Sequence, residues 1–128
     1  MKPGTREWVG KAEEDFLAAT DLARRRKRPL LSSVCFHAQQ GAEKYLKARI
    51  AEAGLPIRKT HDLEMLLDLL IPLEPGWVSL RTALQDLTDY AVDVRYPGHA
   101  ATKSEARRAV ADCKLVRREV RRALRLHT

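Results

Sequence analysis

Four polar side chains in the stretch CFHAQQGAEKYLKA (35–48) could do chemistry together. His37, Gln40, Lys44 and Lys47 recur at offsets of 3, 7 and 10, which puts them on one line of an α-helix. Donors and cations in a row suit an anion such as a triphosphate or an RNA backbone. The alternative is the wet side of an amphipathic helix. A second candidate is KTHDLEMLL, where His61 and Asp62 stand at a helix start. Unpaired amides there favour an anion, although Asp62 would equally serve as a plain capping residue. The third is DYAVDVRYPGH (89–99), in which Arg95, Tyr96 and His99 surround a Pro-Gly break. An arginine that stabilises charge and a histidine titrating near neutrality could together support RNA cleavage.

Other chemistries lack their residues. There is no glycine-rich phosphate loop, no Cys-x-x-Cys, no His-Glu-x-x-His and no nucleophile elbow. His37, His61, His99 and His127 have no metal-ligand spacing, so neither a metal nor another cofactor is expected. Cys35 and His37 are two residues apart and face away from each other on a helix, which excludes a nucleophilic pair. Cys35 and Cys113 sit among apolar helical neighbours and read as buried free thiols.

Charge narrows the partners. The net charge is +7, and residues 102–128 hold nine cations against Glu105, Asp112 and Glu119. A second cluster, RRRKR, occupies positions 24–28, and the remaining chain is net acidic. An acidic partner fits this pattern: RNA, a nucleotide or an acidic protein surface. A solvated helix face in an arginine-rich proteome fits it too. Arginine outnumbers lysine 16 to 8 and asparagine is absent, a hint of a thermophilic or GC-rich source. No apolar run approaches the roughly 20 residues of a membrane span, and residues 1–16 lack the apolar core of a secretory signal. A cytoplasmic protein without membrane contact is expected.

Helical periodicity accounts for nearly the whole chain of 128 residues, read as one domain. A first helix is predicted over residues 6–26 with Trp8, Ala12, Phe16, Ala19 and Ala23 on one stripe, ended by Pro29. The second, residues 30–53, stops at Gly54 and has the small residues of a central helix. Its polar line would then face a groove or a partner chain. Thr60 or Asp62 opens a short third helix with Leu63, Leu66, Leu67 and Leu70 at helical spacing. IPLEPGW reads as a loop, residues 78–94 as a fourth helix, and Thr102-Lys-Ser-Glu105 as the capping box of a basic fifth. The expected fold is all-α: an up-and-down bundle of four long helices plus one short one.

CFHAQQGAEKYLKA in the second helix, THDL opening the third and RYPG after the fourth together resemble the HEPN domain family, from Trp8 to the basic last helix. The family's usual form has an alanine at the place of Gly41, a small-for-small change expected to leave packing undisturbed. The resemblance implies a helical bundle, usually a homodimer, encoded beside a minimal nucleotidyltransferase in bacterial and archaeal two-gene modules. It also implies a nucleotide- or RNA-binding role resembling a toxin–antitoxin component, with His37, Gln40, Lys44, His61, Arg95 and Tyr96 as binding residues. Several branches are ribonuclease toxins whose arginine and histidine, separated by four to six residues, meet across the dimer interface. Here Arg95 and His99 are separated by three, and Tyr96 follows the arginine where a small polar residue is usual. Arg95 carries over as the functional arginine, and His99 as its catalytic partner in the alternative reading of a metal-independent endoribonuclease. A third reading is a dimeric adaptor gripping an acidic protein.

Overall fold

A computed structural model describes residues 1–93, 97–98 and 100–127. Its described residues form five α-helices and no strand: α1 (Pro3–Ala23), α2 (Leu31–Glu52), α3 (Leu63–Leu70), α4 (Arg81–Asp93) and α5 (Lys103–Ala123). A 3-10 turn, Pro75–Leu80, leads into α4. The all-helical bundle is as the periodicity predicts.

Local chemistry sets the boundaries. α1 begins at Pro3, three residues before the expected start, because proline suits a first turn whose amides have no intrahelical partner. It ends at Ala23 rather than at position 26. Five successive cations repel one another there, and Arg28, just before Pro29, takes a positive φ of 50°. α2 stops at a left-handed Gly54 (φ 73°), with Leu55 N–H donating to the Ile50 carbonyl and Gly54 N–H to that of Ala51. A side chain at Gly54 would be strained in that conformation. Asp62 caps α3 by accepting from Met65 N–H at 3.1 Å, which settles the choice between Thr60 and Asp62. The predicted capping box of α5 is complete, Thr102 and Glu105 each accepting from the other's amide.

One element departs from expectation. The second half of IPLEPGW winds into the 3-10 turn, and α4 starts at Arg81, three residues later than predicted. Trp77 and Leu80 are buried in the core, so this segment must run tight against the bundle rather than loop away from it.

α2 is the axis. Of its 22 residues 12 are buried, spread around its circumference, and it touches α1, α3, α4 and α5. Tyr45, Leu46 and Ile50 pack with Leu63, Leu66, Leu67, Leu84, Leu87 and Val116 in one core. α1 lies antiparallel to α2: Thr5 Oγ1 and Lys2 N–H both donate to Glu52, joining the start of one helix to the end of the other. Gly41 makes close approach possible. A Cβ there would lie 3.1 Å from Cys113 Sγ and 3.5 Å from the Ala12 carbonyl oxygen. The position is therefore tighter than the expected exchange of small residues allows. Cys35 and Cys113 are free and buried, and burial pushes their thiols up to about 11 and about 12, so both stay protonated at neutral pH.

Candidate anion-binding site

The polar line of α2 runs along the seam with α1, where acids meet it. His37 Nδ1 lies 2.8 Å from Asp15 Oδ1, and Lys44 donates to Asp15 Oδ2 at 2.5 Å. Two α2 residues seven apart lie two turns apart on one face, so one carboxylate between them can hold both. Lys47, the last of the row, is buried; it donates to Glu43 at 3.0 Å and lies over the Trp8 ring at 5.5 Å. This differs from the expected groove: burying an ammonium demands a partner, and Glu43 one turn earlier supplies it. His61 reaches the same carboxylate at 2.8 Å while its ring stays mostly exposed. Gln40 donates to Gln39. His37, Lys44, Lys47 and His61 thus all meet acids of their own chain, which the reading of the row as ligand donors did not anticipate.

A neighbouring network joins three helices. Glu13 of α1 accepts from the Tyr45 hydroxyl of α2 and, bidentately, from Arg117 of α5 at 2.8 and 3.0 Å. Arg117 also covers the Phe16 ring at 4.8 Å, and Arg121 stands 3.8 Å from Glu13. These two arginines are held inward, and the basic exterior is left to other residues of α5.

That exterior is where the two cationic runs converge. The end of α1, the turn before α2 and the start of α5 enclose a cavity of about 290 Å³. Arg24, Arg25, Arg26, Lys103 and Arg107 line it together with Ala23, Pro29, Leu31 and Ala106, and among the described residues no acid does. All five cations are exposed. Arg25 donates to the Lys27 carbonyl and Arg24 is 4.0 Å from exposed Asp21. A groove of about 500 Å³ between α1 and α5 shares Ala23 and Arg24 with this cavity and continues past Leu17, Thr20 and Lys114. A further hollow follows along Lys114 and Arg118. Cations on a concave, partly apolar surface attract phosphates, and Asp21, which lines the groove beside Arg24, is an acid that competes with them there. Sequence reading counted both clusters, but nothing in the order of residues said that positions 24–26 and 103–107 would meet.

Arg95, Tyr96 and His99 lie outside the described residues. Among the described residues no group of three or more His, Cys, Asp or Glu side chains could hold a metal ion. No helix among them is long and apolar enough to cross a membrane.

Fold and surface define an all-α bundle with a cation-lined end and side. The HEPN domain model matches residues 5–123, nearly the entire chain, and the protein belongs to the HEPN domain family. That membership carries a nucleotide- or RNA-related role in general. Neither a curated protein nor a solved structure matches the chain with significance.

Proposed function

We propose that this HEPN-domain protein binds RNA along the α1–α5 side of the bundle, as the nucleic-acid-contacting component of a two-gene module with a minimal nucleotidyltransferase. The single observation that carries the reading is the convergence of both cationic runs on one concave surface, at whose end no acid lies among the described lining residues. Arginine forks and lysine ammonium groups pair with backbone phosphates irrespective of sequence, and each neutralised phosphate releases condensed counterions. In this reading Asp15 and Glu43 hold His37, Lys44, Lys47 and His61 as clamps between elements, and Arg95 and Tyr96 enter as binding residues from the family resemblance alone. The nucleotidyltransferase and the homodimer enter from the family resemblance.

The test is the salt dependence of binding to a single-stranded RNA in EDTA, followed by fluorescence anisotropy. Four or five phosphate contacts give a slope of log K against log salt of about −3 to −3.5. Arg107→Ala and Lys114→Ala should each flatten it by about 0.7. Salt-sensitive binding without cleavage supports the reading. Cleavage that disappears in His99→Ala would instead favour the ribonuclease. Absence of both, with stable capture of a protein partner, would favour the adaptor.

A further inference from the structure

We propose that His37 is a phosphoryl acceptor, a nucleophilic imidazole that takes phosphate on Nε2 from a small phosphoramidate or acyl phosphate donor. The site is on the α1–α2 seam rather than the α1–α5 surface, and it stands without the RNA-binding reading.

The geometry decides which ring nitrogen reacts. An ionised carboxylate only accepts hydrogen bonds, so the 2.8 Å contact with Asp15 makes Nδ1 the donor. In the neutral ring the lone pair then belongs to Nε2, which makes no hydrogen bond to the described residues. With Nδ1 turned to Asp15 and the side chain 32% exposed, the nucleophilic nitrogen is the one left to solvent. Phe36 meets the ring edge-on, with centroids 5.4 Å apart and planes at 77°, and braces it from a second side. A histidine whose tautomer and orientation are fixed by a largely buried carboxylate is the arrangement that nucleophilic and general-base catalysis use.

The same carboxylate places a cation beside the nucleophile. Lys44 donates to Oδ2 of Asp15 at 2.5 Å while His37 occupies Oδ1, and the lysine side chain is 25% exposed. Gln40 lies between them on this face of α2, with one amide N–H committed to Gln39 and the other available. An ammonium and an amide are the donors a phosphoryl group on Nε2 needs for its oxygens. His61 lacks this setting. Its Nδ1 is anchored on Glu43 in the same way, but the cation on that carboxylate, Lys47, is 7% exposed and lies against Trp8.

In the transfer, the Nε2 lone pair forms the N–P bond as the P–N bond of phosphoramidate breaks. Its electron pair leaves on ammonia, which takes a proton from water. Nδ1 keeps its own proton, and Asp15 faces the positive charge that the ring acquires.

The full-length protein would be incubated with phosphoramidate at pH 8, with each histidine followed by mass spectrometry and the isomer read by phosphorus NMR. We expect His37 to be labelled at Nε2 at least tenfold faster than His61 and His127, and the difference to vanish in denaturing urea. Lys44→Ala, shown to be folded by circular dichroism, should slow labelling of His37 at least fivefold, and Lys44→Arg should restore most of it. Asp15 is a positioning residue. An asparagine can donate to Nδ1, so Asp15→Asn should move phosphate from Nε2 to Nδ1, a change of isomer that lost stability alone would not produce. Equal rates at the three histidines of the folded protein would overturn the proposal, since only generic imidazole reactivity would be at work. Phosphate on Nδ1 of the unaltered protein, or full-speed labelling in Lys44→Ala, would overturn it too. Each of these failures leaves salt-sensitive RNA binding untouched.

Discussion

Asp15 shows how one residue can set the character of a whole seam. Its side chain is 12% exposed and is the shared acceptor of His37 and Lys44. Removing it strands two donors at a packed interface, while removing Lys44 still leaves the histidine in place. Asp15→Ala should therefore cost about 2–3 kcal/mol and Lys44→Ala about 1 kcal/mol, read from urea denaturation. Gly41 offers a sharper test. Alanine is worth about 0.5–1 kcal/mol over glycine in a helix interior, but its Cβ would sit 3.1 Å from Cys113 Sγ. We expect Gly41→Ala alone to destabilise by about 1 kcal/mol. In a Cys113→Ala background it should become neutral or favourable, a coupling of about 1 kcal/mol. Additive effects in that cycle would show that the sulfur is not what crowds the site.

At the scale of elements, signals that depend on neighbours in the chain were legible. Asp62 and the Thr102–Glu105 pair act within a single turn, which is why they can be read from spacing alone. Thr102→Ala should lower stability by about 1 kcal/mol in thermal unfolding, with little effect on RNA binding at temperatures where the variant is folded. The central place of α2 was readable from its small residues, and the tightness at Gly41 was not, because Cys113 is 72 positions away. The partners of the polar row were hidden for the same reason. Asp15 sits on the α1 stripe between Ala12 and Ala19, and that placement was the available clue that it would turn inward. The 3-10 turn at Pro75–Leu80 escaped because two prolines signal interruption, while the burial of Trp77 against the core is a tertiary fact. The convergence of residues 24–26 with 103–107 is tertiary in the same sense.

For the molecule as a whole, the α4–α5 contact makes folding sensitive to pH. Burial first, and then Asp86 facing it, push the Asp112 carboxyl from 3.8 up to about 6, with Arg108 pulling the other way. Between those values the unfolded chain has released a proton that the folded chain keeps. Stability from this group thus falls as pH rises from about 4 to about 6, and the deficit persists above that. Asp112→Asn should raise the melting temperature at pH 8 and leave it unchanged near pH 3.5. A gain of equal size at both would refute the assignment.

The encirclement of α2 reaches beyond packing. The middle of a rod packed by α1, α3, α4 and α5, where residues 41–43 and 45–48 are buried, gives water little access, so its amides trade hydrogen for deuterium mainly when the surrounding helices let go. The core amides of α2 should be the slowest to exchange and should report the global opening energy, while the last turn of α1, followed by a run of arginines in solvent, exchanges early.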